Sequence, residues 1–153
     1  MERTVRTSGK AVVIRDGKLL AIHLKDEDGD YYILPGGGQK AGERLPETVA
    51  REVAEETGLA VSIGDMLFVI EGSQGEKSHR VDLAFRGDYE GPVSVTQKPD
   101  HQQVGFDWLE IKTLNRAPLY PSKFRRPIMN WADGKETKVY LGDECVGDPE
   151  VTD

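Results

Sequence analysis

The segment from Leu45 to Thr57 constrains the fold more than any other part of the chain, because it has the pattern of an amphipathic helix. Val49 and Val53 follow its first leucine at four-residue spacing, so the three share one helix face. Pro46 suits the first turn of a helix, and Gly58 suits the left-handed position that follows the last turn. The sequence therefore predicts a helix over these residues, with one face on an apolar core.

The same helix brings three carboxylates together. At 100° per residue, Glu52, Glu55 and Glu56 fall within an arc of about 100°. Each unneutralised neighbouring pair repels by roughly 3 kcal/mol at an effective dielectric near 20, and the last turn of a helix disfavours negative charge. A solvated surface face is one interpretation of this pattern. A hard divalent cation that takes oxygen ligands from the cluster is the other.

Strand patterns lie on both sides of this helix. Two apolar runs joined by Asp16-Gly17 predict a hairpin, and Tyr31–Leu34 predicts a short strand before a flexible loop of Pro35 and three glycines. Further strands are predicted at Ala60–Ile63, Met66–Ile70, Arg80–Phe85 and Gly105–Ile111. A second helix is expected within Pro121–Ala132, where Pro127 argues against an uninterrupted helix.

The length and composition predict one folded unit with an acidic tail. A chain of 153 residues with 37% hydrophobic content can bury one ordinary core. We therefore expect a single domain over residues 1–141. Residues 142–153 have few apolar side chains and are expected to form a mobile tail. Its acidic residues are Asp143, Glu144, Asp148, Glu150 and Asp153.

The formal net charge of −7 argues against nucleic acids and anionic membranes as partners, because both carry dense negative charge. A small anionic substrate is compatible with this charge if cations neutralise it locally. The single cysteine, Cys145, excludes an internal disulfide and fits a reducing compartment. The first ten residues lack an apolar run of signal-peptide length, so we expect a cytoplasmic protein.

The helix and the glycines before it belong to a longer pattern. Gly37 is followed by five residues, Glu43, seven residues, and then Arg-Glu-Val-Ala-Glu-Glu-Thr-Gly-Leu over residues 51–59. This segment matches every defined position of the Nudix box, G-x5-E-x7-R-E-U-x-E-E-x-G-U, where U is a bulky aliphatic residue. Leu34-Pro35-Gly36 before the box and Trp108-Leu109-Glu110 after it are also similar. The chain thus resembles the Nudix hydrolase superfamily over roughly residues 5–115.

The resemblance implies an α+β fold, a Nudix-type α/β/α sandwich with a mixed central sheet, in which box residues 37–59 form a loop, a helix and a loop. It also implies that Glu52, Glu55 and Glu56 are the catalytic residues and bind Mg²⁺, with Mn²⁺ as a substitute. The Gly36 carbonyl is an additional candidate ligand. Structural support of the box is expected from Gly37, Glu43, Arg51 and Gly58, and the resemblance implies that Glu43 and Arg51 pair to brace the loop against the helix. For Arg51 a surface ion pair is the alternative.

The activity implied is hydrolysis of a phosphoanhydride bond in a nucleoside diphosphate derivative or a nucleoside triphosphate. Many family members place a glutamate, the general base, well downstream of the box, where this chain has Gln103. A glutamine cannot accept a catalytic proton, so the base is expected to be Glu52 or Glu55. Asp100 or His101 would serve instead if their loop folds inward.

Substrate contacts are predicted only as candidates, each of which is also explained as a surface or packing residue. Basic side chains near the early strands could meet phosphates, and a tyrosine could stack on a base. The sequence offers Arg6, Lys10, Lys25, Tyr31, Tyr32, Glu71, His79 and Arg80.

Two other functions are compatible with the resemblance. A Nudix-fold nucleotide-binding or regulatory domain without catalysis would explain Gln103, although the complete box argues against it. An RNA 5′-end pyrophosphohydrolase should have a basic groove, whereas this chain is acidic. The sequence leaves open whether the protein is a monomer or a homodimer.

Overall fold

A computed structural model describes residues 3–75, 78–95 and 102–153. Asp100 and His101, two candidates for the general base, lie outside these residues. The described part of the chain contains two short 3-10 helices, Ile111–Arg116 and Ser122–Phe124, beside its strands and α-helices. In chain order the strands and α-helices are β1 (Thr4–Arg15), β2 (Lys18–Asp26), β3 (Gly29–Ile33), β4 (Gly36–Gly38), α1 (Leu45–Thr57), β5 (Leu59–Gly72), β6 (Ser78–Pro92), β7 (Gln103–Glu110), α2 (Arg125–Ala132) and β8 (Tyr140–Asp143).

The strands form one mixed sheet. Its main path runs β3-β2-β1-β6-β5-β8, with β4 paired to β1 and β7 paired to β2. The β1–β6 and β5–β8 pairs are parallel and the others are antiparallel. The parallel β1–β6 pair places Ser8 beside Asp82 and Arg6 beside Arg80. Side chains at these even-numbered positions therefore share one face of the sheet.

A helical layer covers each face of the sheet. Val49 and Val53 of α1 are fully buried against a cluster that includes Ala11, Val13 and Phe85. The opposite face packs a second cluster against α2 and the 3-10 helices, including Val12, Phe68, Leu119, Phe124 and Ile128. This arrangement confirms the predicted α+β sandwich with a mixed central sheet.

Helix α1 has the predicted bounds because its end signals are local. Glu47 accepts a hydrogen bond from the Arg44 N–H at 3.0 Å, which satisfies one free donor of the first turn. Gly58 closes the helix with φ 73°, and its N–H bonds to the Ala54 carbonyl. Helix α2 begins at Arg125, so Pro127 falls within its first turn, where a missing N–H breaks no helical hydrogen bond.

Two strand predictions differ from the structure. The predicted flexible glycine loop includes β4, in which three glycines pair with Ser8, Gly9 and Lys10 of β1 through their backbone. The two strands expected after α1 form the single strand β5. Its register shifts between Ile63 and Met66, so the interruption seen in the sequence is a bulge within one strand.

The C-terminal segment also differs from the predicted acidic tail. The boundary expected between residues 141 and 142 falls inside β8, which pairs with β5. Glu144 is buried and accepts hydrogen bonds from the Ser122 N–H and hydroxyl and from the Lys123 N–H, at 2.7 to 3.1 Å. Glu150 pairs with the buried guanidinium of Arg125 at 2.5 Å. These charged residues lie against the domain because each has a buried partner distant in sequence.

Within the described residues, neither α-helix is long and apolar enough to cross a membrane.

Candidate active site

The end of α1 meets the glycine strand β4 at Glu56. Its Oε1 accepts a hydrogen bond from the Gly36 N–H at 2.8 Å. Removal from water raises the pKa of Glu56 to about 7, although the Gly36 N–H and the charge of Lys10 act in the opposite direction. Glu56 is therefore held in place by the strand but ionises less readily than an ordinary glutamate.

Gly37 leaves room for a second carboxylate. A Cβ atom at this position would lie 2.6 to 2.8 Å from all three atoms of the Glu52 carboxylate. Real contacts of this kind are sterically forbidden, so any side chain at residue 37 would displace Glu52. The backbone of β4 and the carboxylate of Glu52 thus form a close pair that requires glycine.

Arg51 connects the box carboxylates. Its Nη1 donates to Glu52 Oε1 at 3.0 Å and makes longer contacts, 3.4 and 3.5 Å, with the two oxygens of Glu55. Its Nη2 also donates to the Gly38 carbonyl at 3.3 Å. The guanidinium therefore neutralises part of the charge on the acidic face and ties that face to β4.

Glu43 fixes Arg51 from the other side. Arg51 Nε and Nη2 donate to the two carboxylate oxygens of Glu43 at 2.6 and 3.0 Å. Glu43 also accepts from the Lys40 N–H and the Thr48 hydroxyl, both at 2.9 Å. The Arg51 hydrogen bonds, followed by the Lys40 N–H, lower the pKa of Glu43 to about 2. Glu43 and Arg51 are thus paired in the structure, and their role in supporting the box stays a prediction.

These residues have the chemistry of a hard-cation site. The side chains of Glu52 and Glu55 are each only about one-fifth exposed, and Glu56 is held by Gly36 next to Lys10. Carboxylate and carbonyl oxygens are the donors that Mg²⁺ and Mn²⁺ prefer. The Glu52 carboxylate occupies the space beside Gly37 that the side chain of any larger residue would fill. The residues present therefore fit a divalent cation.

A polar strip continues from Glu56 along the sheet. The positive charge of Lys10 acts to lower the pKa of both Glu56 and Asp82. The Asp82 side chain is buried, with only 1% of its surface exposed. Burial acts to raise the pKa of Asp82, but Lys10, Arg80 and a hydrogen bond from Ser8 together hold it below its ordinary value. Arg80 Nη2 contacts the other oxygen of Asp82 at 2.9 Å. Lys10, Asp82 and Arg80 line a cavity of about 220 Å³.

A larger cavity of about 450 Å³ opens beside the first. The two share Ile33, Arg80, Tyr120 and Pro121 in their walls. Tyr31 and residues of the β2–β3 turn form one side of the larger cavity, and residues 144–148 form another. A volume of this size is in the range of small-molecule sites.

The structure separates the predicted substrate residues into two groups. Lys10, Tyr31 and Arg80 line the cavities, whereas Arg6, Lys25, Tyr32, Glu71 and His79 line neither. The Tyr32 hydroxyl donates to Asp107 at 3.1 Å and its ring stacks on His23. Glu71 is engaged by His79 at 2.8 Å and by the Tyr140 hydroxyl at 2.6 Å. Substrate contact by residues of this second group stays a prediction.

Gln103 lies at the end of α1, although it is distant in sequence. Its Nε2 donates to the Glu56 carbonyl at 2.9 Å. Its buried Oε1 has no hydrogen-bond partner among the residues that the structure describes. The side chain is thus anchored by the helix terminus through its amide NH₂ group, which a glutamate lacks.

Comparison with known proteins identifies relatives of this arrangement. The family model described as NUDIX domain matches residues 5–132. The "ADP-ribose pyrophosphatase" of Methanocaldococcus jannaschii is 26% identical over 125 residues, 80% of this chain and 72% of that protein. The "NAD-capped RNA hydrolase NudC" of Vibrio atlanticus is 34% identical over 120 residues. That match covers 75% of this chain but only 40% of the length of NudC.

Solved structures share the fold at low sequence identity. A NUDIX hydrolase from Nitrosomonas europaea superposes with a TM-score of 0.70 at 19% identity, covering 92% of this chain and 99% of that one. A MutT protein from Methanosarcina mazei gives a TM-score of 0.67 at 24% identity, covering 90% and 99%. Each of these similarities covers nine-tenths or more of this chain.

Proposed function

Because the chain belongs to the Nudix family, whose domain model matches residues 5–132, we propose that it is a pyrophosphohydrolase that requires a divalent cation. Mg²⁺ is the first choice and Mn²⁺ a substitute. The substrate is a nucleoside diphosphate derivative or a nucleoside triphosphate. The observation that carries this proposal is the position of Glu56, which accepts a hydrogen bond from the Gly36 N–H and lies near Lys10, a residue that lines the smaller cavity.

Glu52 and Glu56 would hold the cation, with the Gly36 carbonyl as a further donor, and Glu55 adds a third carboxylate beside it. When bound there, the cation supplies charge neutralisation of the phosphate oxygens and lowers the pKa of a water molecule. Arg51 and Glu43 act on this site indirectly. Glu43 accepts two hydrogen bonds from Arg51, and this fixes the guanidinium that orients Glu52.

Lys10 would receive the substrate phosphates. It interacts electrostatically with both Glu56 and Asp82, and it lines the smaller cavity. Its positive charge therefore lies at the edge of the carboxylate cluster. A negatively charged protein can thereby bind an anionic substrate through one fixed cation and a bound metal. The sheet contributes position, because Lys10 pairs with Gly36 across β1 and β4.

For the general base we propose Glu55. Its carboxylate makes only the long Arg51 contacts of 3.4 and 3.5 Å among the described residues, whereas Glu52 accepts a 3.0 Å hydrogen bond and Glu56 is bound to the backbone. A carboxylate with weak partners can turn toward a water molecule and accept its proton. Gln103 then has a positioning role at the helix end.

Changing Gln103 to glutamate should not increase the rate. The new carboxylate would face the Glu56 carbonyl oxygen in place of the present 2.9 Å hydrogen bond, at the negative end of the helix dipole. We expect kcat within about threefold of wild type and a loss of about 1 to 2 kcal/mol in the free energy of unfolding at pH 8. Steady-state kinetics and urea unfolding measure both. Gln102→Glu is the matched control, and a tenfold higher kcat in Gln103→Glu would place the base outside α1.

The proposed activity is tested by product analysis over a panel of nucleoside triphosphates, sugar nucleotides and dinucleotides. Hydrolysis of at least one class should require Mg²⁺ or Mn²⁺ and stop on chelation. Glu52→Gln should lower kcat by about 100-fold, because it removes a charged oxygen from the cluster. Glu47→Gln lies on the same helix and keeps the capping hydrogen bond, so it should leave the activity unchanged. If no phosphoanhydride is cleaved, or if both variants behave alike, the proposal is wrong.

A further inference from the structure

The larger cavity shares part of its wall with the smaller cavity that Lys10 lines. Lys10, next to Glu56, lines the smaller cavity, and Arg80 lines both. A substrate whose phosphates lie at Lys10 and the box carboxylates can therefore extend past Arg80 into the larger cavity. The neck between the two is formed by Ile33, Tyr120 and Pro121 together with Arg80.

One wall of this cavity comes from a segment beyond the family match. Residues 144–148 line the cavity, whereas the matched domain ends at residue 132. The segment is fixed by the buried carboxylate of Glu144 and by a turn in which Asp148 accepts a hydrogen bond from the Cys145 N–H at 2.8 Å. This wall therefore lies outside the residues that the domain model matches.

The charge of the lining is strongly negative. Exposed aspartates come from the β2–β3 turn and from the C-terminal segment, and Arg80 is the single basic residue among the described lining residues. Arg80 already pairs with Asp82, so it compensates little of this charge. Tyr120 adds an aromatic surface. The aspartates that line the cavity are Asp26, Asp28, Asp30 and Asp148.

This lining favours one kind of ligand group. Ionised carboxylates only accept hydrogen bonds, so they suit groups rich in hydroxyl donors, as when an acidic residue binds a ribose hydroxyl. A carboxylate or phosphate on the ligand would be repelled by the several aspartates that line the same cavity. A neutral sugar satisfies both conditions.

We propose, on the basis of the function proposed above, that the larger cavity binds the group attached to the diphosphate and selects an uncharged, hydroxyl-rich group. The C-terminal segment supplies part of this selectivity through Asp148, and the β2–β3 turn supplies part through Asp28. The substrate class is therefore a nucleoside diphosphate linked to a neutral sugar. Nucleoside diphosphates linked to an acidic sugar or to a further phosphate are disfavoured.

UDP-glucose and UDP-glucuronate test this inference, because they differ by one carboxylate on the sugar. ADP-glucose and ATP extend the comparison to a second base and to a substrate without a sugar on its diphosphate. We expect kcat/KM to be at least tenfold higher for UDP-glucose than for UDP-glucuronate. The two neutral sugar nucleotides should both exceed ATP.

The variant Asp28→Asn with Asp148→Asn removes two charges while keeping an amide oxygen as acceptor at each position. The ratio of kcat/KM between the two uridine substrates should fall to about one-third or less of its wild-type value, through a lower KM for UDP-glucuronate. Asp133→Asn, an exposed residue at the end of α2, is the control and should leave the ratio unchanged.

Equal kcat/KM for the two sugars in wild type, or an unchanged ratio in the double variant, would overturn the inference. Faster cleavage of ATP than of every sugar nucleotide would also overturn it, and dependence on the base alone would assign the cavity to the nucleobase. In each of these outcomes the protein still hydrolyses a phosphoanhydride. If it cleaves none of the four compounds and none of the wider panel, the proposed function itself fails.

Discussion

Replacing Glu56 with glutamine should reduce hydrolysis at least about 1,000-fold and change how stability depends on pH. The variant loses the charge of the carboxylate that Gly36 holds next to Lys10, so both cation binding and the electrostatics of the reaction suffer. Steady-state kinetics with saturating Mg²⁺ measures the rate. Calorimetric titration with Mn²⁺ measures the loss of cation binding independently of turnover.

The pH effect follows from the pKa of about 7 in the folded protein, which lies above the ordinary value of 4.5. The folded state binds this proton more tightly than the unfolded state, so the stabilisation is complete below about pH 4.5 and is lost as pH rises through 7. In wild-type protein with chelator, this group alone should lower the free energy of unfolding by about 2 to 3 kcal/mol between pH 4.5 and 8. Glu56→Gln has no such titration.

Urea unfolding of both proteins at several pH values in chelator isolates this contribution, because all other titrating groups are shared. The difference between variant and wild type should grow in favour of the variant from pH 5 to pH 8. Glu136→Gln, an exposed glutamate outside the site, should follow wild type. Parallel pH profiles for wild type and Glu56→Gln, or a variant within tenfold of wild-type activity, would contradict the assignment.

The sequence was sufficient for those parts of the site whose geometry is local. Helix α1 has its predicted bounds because its apolar spacing, first-turn proline and terminal glycine all lie within fifteen residues. The common face of its three glutamates follows from helix geometry. The Glu43–Arg51 pair came from the resemblance, and the structure explains it by the close approach of the loop to the helix.

The cavities could not be predicted in this way because their walls come from distant segments. Arg80 and Tyr120 line both cavities, with Lys10 in the smaller one and Cys145 in the larger one, and these residues come together only after the sheet has formed. Strand alternation left Arg80 equally compatible with either face until its parallel pairing with β1 was known. Burial of a charged residue is harder still to infer, since it depends on partners that local pattern does not specify.

The C-terminal segment illustrates this point. Its composition predicts a solvated tail. In the structure, however, Glu144 accepts hydrogen bonds from three donors of Ser122 and Lys123, and Glu150 pairs with Arg125. The glycine strand β4 is the opposite case. It has no side chains from which pairing could be inferred, and only its backbone contacts with β1 define it.

Adding a methyl group at Gly36 or at Gly37 should have two different effects. Gly36 has φ 146°, and a Cβ there would lie 2.0 Å from the Gly9 carbonyl oxygen and 2.8 Å from the Lys10 Cα. Relief requires β1 and β4 to separate, so Gly36→Ala should lower the free energy of unfolding by about 3 kcal/mol or more.

At Gly37 the Cβ would meet only the carboxylate of Glu52, at 2.6 to 2.8 Å, which is the mobile end of a flexible side chain. Gly37→Ala should therefore cost less than about 1 kcal/mol in stability but weaken Mn²⁺ binding at least about tenfold, because it displaces a proposed ligand. Urea unfolding in chelator and Mn²⁺ titration separate the two effects. If Gly37→Ala binds Mn²⁺ like wild type, Glu52 does not need its present position to hold the cation. If both variants lose equal stability, the β4 backbone rather than the Glu52 carboxylate is what excludes a side chain at residue 37.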